Sequence, residues 1–292
     1  MSTYEPLVQN ALVLALLAFS IHVAVRAGAF SVTGVACYGT GAYTAGALAI
    51  NDVPVPLAVL AAVAQAAVLG LVLALVLGRL HSLYLAMATF AFVLLVQVLA
   101  LEWESVTGGA LGLLGIPVGI TTPALLAITA ICALGVALLE RGRSGRMLEV
   151  LRLDDQLAGS LGIPVVRNRR AALVLSAALG GLSGACSALL FSVFTPDQIS
   201  FSLIVDALTM IVIGGTAAWY GPVIGAAVVA SLPEVFAFAG SYRPALQAAI
   251  VVVLVIYAPD GAVGLVRAVT SRVRRARRPA EATQPVPEEV PS

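Results

Sequence analysis

The chain of 292 residues is 60% hydrophobic and 11% charged, with a mean hydropathy of +1.03 and a formal net charge of +1. So few charges cannot cover a soluble domain, which leaves lipid to solvate most of the chain. All 16 basic residues are arginine, and without lysine the chain can build neither a P-loop nor a retinal or pyridoxal Schiff base.

Long continuous apolar runs, in place of short alternating ones, predict an all-α polytopic membrane protein and not a barrel. The N-terminal MSTYEPLVQN carries Glu5 and no basic residue, unlike a signal peptide, so Leu7 to about Val25 is expected to be a retained span ending at Arg26. A second stretch, about Phe30 to Ile50, is rich in glycine (Gly34, Gly39, Gly41, Gly46) and ends at Asn51 and Asp52. A third runs from about Pro54 to Leu77, before Arg79, and a fourth from about Leu83 to Leu101, before Glu102 and Glu104. The glycine loop from Thr107 to Pro117 leads to a fifth, roughly Pro123 to Leu139.

The hydrophilic segment from Glu140 to Arg170 comes next, with Arg141, Arg143, Arg146, Arg152, Arg167, Arg169 and Arg170. Each arginine would cost roughly 2.5–3.5 kcal/mol at a bilayer centre, so this segment is expected to stand in water. Apolar runs resume at Ala171 to about Val193, Phe201 to about Ala218, Pro222 to about Phe238 and Pro244 to Ala258; either this short last run or the glycine-rich second could be re-entrant. The end of the chain, 267–292, carries Arg267, Arg272, Arg274, Arg275, Arg277 and Arg278 and then a Pro/Glu-rich stretch. It reads as a disordered cytoplasmic tail held at the lipid surface, beyond a transmembrane domain of residues 1–266. The count is about nine spans, within a range of about eight to ten, at about 20 residues each. With the N-terminus outside and the C-terminus cytoplasmic, Arg26, Arg79 and the central and tail arginines fall in the cytoplasm, and Arg243 alone falls outside.

Within the hydrophilic segment, Arg146 to Leu161 predicts one amphipathic helix, with Met147, Leu148, Leu151, Leu157, Ala158 and Leu161 at helical spacing. Gly162 is a natural stop and Pro164 bars continuation. Such a helix suits docking into a groove on another protein; a solvated connection held at the lipid surface by its charge is the alternative. Asp206 and Glu234 fall inside expected spans, where an acid faces the bundle interior or an aqueous path. A structural hydrogen bond, a subunit interface and substrate contact are all open to Asp206. Gly181-Leu182-Ser183-Gly184 has the G-x-S-G pattern of rhomboid-type proteases, but both histidines, His22 and His81, precede it, and its glycines suit close helix packing. His81, at a span start, reads as a surface residue. Cys37, Cys132 and Cys186 are isolated and form neither a metal pattern nor a disulfide framework. Gly214, Gly215, Gly221, Pro222 and Gly225 predict a tight hairpin.

The run MLEVLRLDDQLAGSLGIP (147–164) resembles the coupling loop of ABC-importer permeases, most closely those of the branched-chain amino acid permease family. Other stretches resemble the same family in the same order: GAYTAGALA from Gly41, LYLAMATFAF from Leu83, TGGALGLLGIP from Thr107, LSAALGGLSGACSALL from Leu175, IVIGGTAAWYGPVIGAA from Ile211 and APDGAVGL from Ala258. The resemblance implies an ABC-importer permease fold in the inner membrane and a non-catalytic subunit. Its partners would be a second homologous permease, two cytoplasmic ATPases that hold ATP and magnesium, an extracytoplasmic binding protein and membrane lipid, with no nucleic acid. This chain itself would hold no cofactor and no metal. Arg146, Leu148, Leu151, Arg152, Asp155, Ala158 and Gly162 would couple to the ATPase. Tyr84, Thr89, Thr107, Gly108, Gly109 and Asp206 would line the substrate path. The implied solute is a branched-chain or related amino acid. Two departures bear on it: Ala110 and Leu111 replace a polar pair in the outer loop, and Val35, Ala36 and Cys37 follow Gly34 where a histidine is common. They keep a urea, short-amide or sugar importer open, while a stand-alone secondary transporter or channel is the rival of another class.

Overall fold

A computed structural model describes residues 5–80, 82–216 and 218–235. The expected ninth span with Arg243, the run from Ala258, the tail and His81 lie outside the described residues. The first eight apolar runs each form a helix: α1 (Glu5–Arg26), α2 (Thr33–Ile50), α3 (Val55–Leu77), α4 (Ser82–Glu102), α6 (Thr122–Leu139), α9 (Val165–Phe191), α10 (Phe201–Gly214) and α11 (Gly221–Val235). Between them lie the one-turn α5 (Glu104–Thr107), and α7 (Gly142–Leu153) and α8 (Asp155–Ser160) of the hydrophilic segment. Among the described residues, α1, α3, α4, α6 and α9 are by themselves long and apolar enough to cross a bilayer. The glycine-rich second stretch is one continuous helix.

Proline placement sets several starts. Pro56 and Pro123 stand in the first turns of α3 and α6, where a missing amide donor costs nothing. Pro164 stands just before α9, so the hydrophilic segment ends earlier than expected: Arg167, Arg169 and Arg170 already belong to the first turns of this 27-residue helix. At 1.5 Å per residue α9 is about 40 Å long, more than a bilayer core of about 30 Å, so its first turns project beyond the apolar run.

Burial separates a centre from a rim. The apolar window of α9 is 78% buried and that of α6 only 22%. Helices α1, α2 and α9 pack together, while α3, α4 and α6 turn residues such as Leu60, Val68, Met87, Val98, Ile131 and Leu134 outward. The α2–α9 contact is a glycine seam: a methyl group on Gly180 would overlap the Gly34 carbonyl, and one on Gly184 the Tyr38 carbonyl. Close backbone approach of this kind gives tight dispersion contact where lipid supplies no hydrophobic drive between helices. Two buried hydrogen bonds cross the centre, Ser183 Oγ to the Val13 carbonyl at 2.7 Å and Tyr38 Oη to Ser187 Oγ at 2.9 Å. Ser183 is thus a helix-to-helix tie.

At one end of the bundle the glycine loop after α5 pairs β1 (Leu113–Leu114) with β2 (Val193–Phe194) in an antiparallel register, Leu113 opposite Phe194. This two-residue pair is an exception to the all-helical expectation. It forms because Gly112, at φ +71°, lets the loop lie against the Phe194 carbonyl, a place a side chain would fill. Nearby, Gln9 donates to Thr122 Oγ1 at 2.8 Å and Thr122 donates to Glu5 at 3.0 Å, tying α1 to α6. The opposite end gathers the end of α1, α7, α8, the start of α9 and the turn between α10 and α11.

Candidate functional site

The single helix expected from Arg146 to Leu161 is two helices. It begins earlier, at Gly142, and breaks at Asp154, whose backbone is extended at φ −157°, ψ 118°. The Asp154 carboxylate accepts from the amides of Gln156 at 2.7 Å and Leu157 at 3.2 Å. Aspartate satisfies exposed amides at a helix start better than it fits a helix interior, so the Asp154-Asp155 pair restarts the chain as α8. Gly162, at φ +75°, ends α8 as expected: the Ile163 amide bonds the Ala158 carbonyl and the Gly162 amide bonds the Gly159 carbonyl, both at 3.0 Å. This pair of bonds is a Schellman stop.

The break also divides the apolar stripe. Leu151 and Ala158 are buried and Leu148 is half-buried, whereas Leu153, Leu157 and Leu161 are exposed. The helix pair therefore presents three leucines outward from a root held against the bundle. Arg146 is exposed. Gly28, at φ +70°, lies under the root, where a methyl group would meet the Leu151 carbonyl oxygen at 2.5 Å.

An ion chain fixes that root. His22 Nε2 lies 2.6 Å from Glu140 Oε1, and Arg26 Nε lies 3.1 Å from the same oxygen. The Arg26 and Glu140 side chains are only 9% and 10% exposed. Arg26 also donates from Nη1 to Glu149 Oε2. Glu149 faces Arg152 at 3.7 Å on the same helix, and Arg152 donates to Thr216 Oγ1 at 2.8 Å. Farther round, Arg169 donates to the Gly28 carbonyl at 3.4 Å. Burial alone would raise the Glu140 carboxyl; the hydrogen bond from His22 and the charge of Arg26 outweigh it and hold the group below the usual carboxylate range.

Arg152, expected among the residues that couple to an ATPase, turns its guanidinium to Thr216. His22, Arg26 and Glu140 stand out in the sequence only as a histidine, a span end and a segment boundary, and neither they nor Glu149 and Thr216 are expected at a site. The readable signal was spacing: His22 and Arg26 at i, i+4 and Glu149 and Arg152 at i, i+3 each share a helix face. A half-open cavity of about 180 Å³ lies beside the root, lined by Val23, Leu139, Met147, Leu148, Asn168 and Leu175.

The expected substrate-path residues do not converge. Tyr84 is exposed on α4. Thr89 is buried, donating to the Leu85 carbonyl at 2.9 Å and accepting from the Val32 amide at 3.2 Å. Thr107 donates to the Ala100 and Trp103 carbonyls at 2.7 Å, and Gly108 and Gly109 follow with positive φ. Tyr84 stands in the first turn of α4, Thr89 about two turns from the helix start, and Thr107 beyond its far end, bonded to Ala100 about 24 Å from Tyr84 by helix rise. Asp206 is half-buried on α10 and takes part in a polar contact. Asp155 opens α8.

Residues 5–259 match the family described as branched-chain amino acid transport system, permease component. The high-affinity branched-chain amino acid transport system permease proteins LivM of Salmonella typhimurium and of Escherichia coli K12 are each 25% identical over 123 residues. That stretch is 42% of this chain and 29% of each relative's length. No solved structure matches. With its apolar helices and a family match running through all the described residues, this chain is a multi-pass inner-membrane protein that belongs to the permease component family of branched-chain amino acid transport systems.

Proposed function

We propose that this chain is the transmembrane permease subunit of an ABC importer, and that α8 is its point of contact with a cytoplasmic ATPase. The observation that carries the reading is α8 itself, capped at both ends by Asp154 and Gly162 and presenting Leu157 and Leu161 outward beside Leu153. A short helix with fixed ends and an apolar outer face is what a groove on another protein recognises. The arginines of the same end support a cytoplasmic position for it by the positive-inside rule. ATP and magnesium belong to two ATPase partners; a second permease and an extracytoplasmic binding protein complete the importer. Closing of the ATPases carries α7 and α8 with it and shifts the permease pair between its two open sides, through their different affinity for the two conformations.

A branched-chain or related amino acid is the solute the family description supports. Ala110 and Leu111, standing where the family's outer loop is polar, leave a urea, short-amide or sugar importer as the second reading. The test is uptake by cells expressing Leu157→Asp, Leu161→Asp or Gly162→Val. A buried hot-spot side chain is worth about 2 kcal/mol, so each aspartate should weaken ATPase association roughly thirtyfold and abolish uptake while membrane insertion persists. Normal uptake by these variants overturns the docking reading. Solute flux through liposomes holding this chain alone would favour a stand-alone transporter or channel.

A further inference from the structure

We infer that Glu149, Arg26 and Thr216 are positioning residues that pass displacement of α7–α8 to two places at once, the end of α1 and the α10–α11 hairpin. The inference rests on the proposed docking of α8 and adds the route by which that docking is felt in the membrane. Helix α7 carries two outward-branching polar links one turn apart. Glu149 reaches Arg26 on α1, and Arg152 reaches Thr216 in the turn after α10 at 2.8 Å. The other anchors of α7 include Leu151 and Leu148, whose apolar side-chain contacts carry no direction. A charge-assisted hydrogen bond fixes distance and angle, so it transmits a rotation that an apolar contact absorbs.

Both receiving elements are built to move as units. The hairpin is closed by its own glycine seam, since a methyl group on Gly214 would overlap the Gly221 carbonyl and one on Gly225 the Met210 carbonyl. A pull on Thr216 therefore moves α10 and α11 together. On the other limb, Arg26 is braced from behind by Glu140, which also holds His22, so its position is set by α6 and α1 jointly. The two limbs converge, because α11 packs along α1. Thr216 is itself uncharged, so replacing it tests the bond from Arg152 without adding or removing a charge. Arg26 keeps Glu140 when Glu149 is neutralised, so Glu149→Gln leaves no buried charge without a partner.

The experiment uses the whole transporter, purified with its ATPases and reconstituted in liposomes with its binding protein. Solute uptake, ATP hydrolysis and ATPase content are measured on the same preparation. Thr216→Val and Glu149→Gln should retain the ATPases and their basal hydrolysis but lower solute moved per ATP by about fivefold or more, the lower range of an allosteric coupling. Thr216→Ser, which keeps the hydroxyl, should couple as wild type does. A Thr216→Val variant that assembles and transports at the wild-type ratio overturns the inference, whatever Glu149→Gln does. So does a Thr216→Ser variant as uncoupled as Thr216→Val, because that marks a packing role. If wild type itself purifies without ATPases, the docking reading fails and this inference falls with it; equal coupling in wild type and variants removes this inference alone.

Discussion

The α2–α9 seam and the α7 root are both tight contacts, made by opposite means. The seam joins Gly34, Gly41, Gly180, Gly181 and Gly184 with backbone against backbone and no ionised group. The root joins His22, Arg26, Glu140, Glu149, Arg152 and Thr216 through a few directional bonds, and the side chains of His22, Arg26 and Glu140 are almost fully buried. A close-packed seam has one arrangement and resists change in volume. A polar chain can exchange partners between two arrangements of similar energy, which is the property a moving part requires. The difference teaches where this bundle is fixed and where it can switch.

The strongest way to break the comparison is to overfill the seam. Gly184→Leu drives a side chain into the Tyr38 backbone, and a loss of about 3 kcal/mol or more is expected, seen as a collapse in folded yield and a lower Tm in detergent. A smaller loss at the root sharpens it. Glu140→Ala strands the buried Arg26 guanidinium with only the more exposed Glu149 and should cost roughly 3 kcal/mol at most, while the seam stays protected from hydrogen exchange. The same contact can be titrated. Because the Glu140 carboxyl is held below the usual range, its stabilisation is fully present above the ordinary glutamate value of about 4.3 and is lost as the pH falls through the lower folded-state value. Wild-type Tm should fall across that acidic window, and the fall should be shallower in Glu140→Gln; an unchanged slope contradicts the assignment. The smallest effect belongs to the α8 cap. Asp154→Ala should cost about 1 kcal/mol, confined to faster exchange of the Gln156 and Leu157 amides.

The apolar runs were legible as helices because bilayer thickness dictates how long such a run must be. Gly162 as a stop and the Gly214–Gly225 hairpin were legible for the same kind of reason, a local backbone demand that glycine answers. The break at Asp154 turned on a contest between helix continuation and capping that two adjacent aspartates decide, and the periodic pattern of leucines hid it. The ion chain was hidden for a different reason. His22 and Glu140 are 118 residues apart, Arg26 and Glu149 123, and Arg152 and Thr216 64, so no local pattern announces them. Thr89 and Thr107 show the converse: chosen as polar groups on a substrate path, their hydroxyls are occupied by backbone partners.

The most direct measurement places a photo-crosslinking amino acid at Leu157 in the transporter assembled in its native membrane and identifies what it captures by mass spectrometry. The account predicts one product joining this chain to an ATPase subunit, formed from the cytoplasmic side. Crosslinks only to lipid or to an extracytoplasmic protein, from a complex in which the ATPases are present, would contradict it.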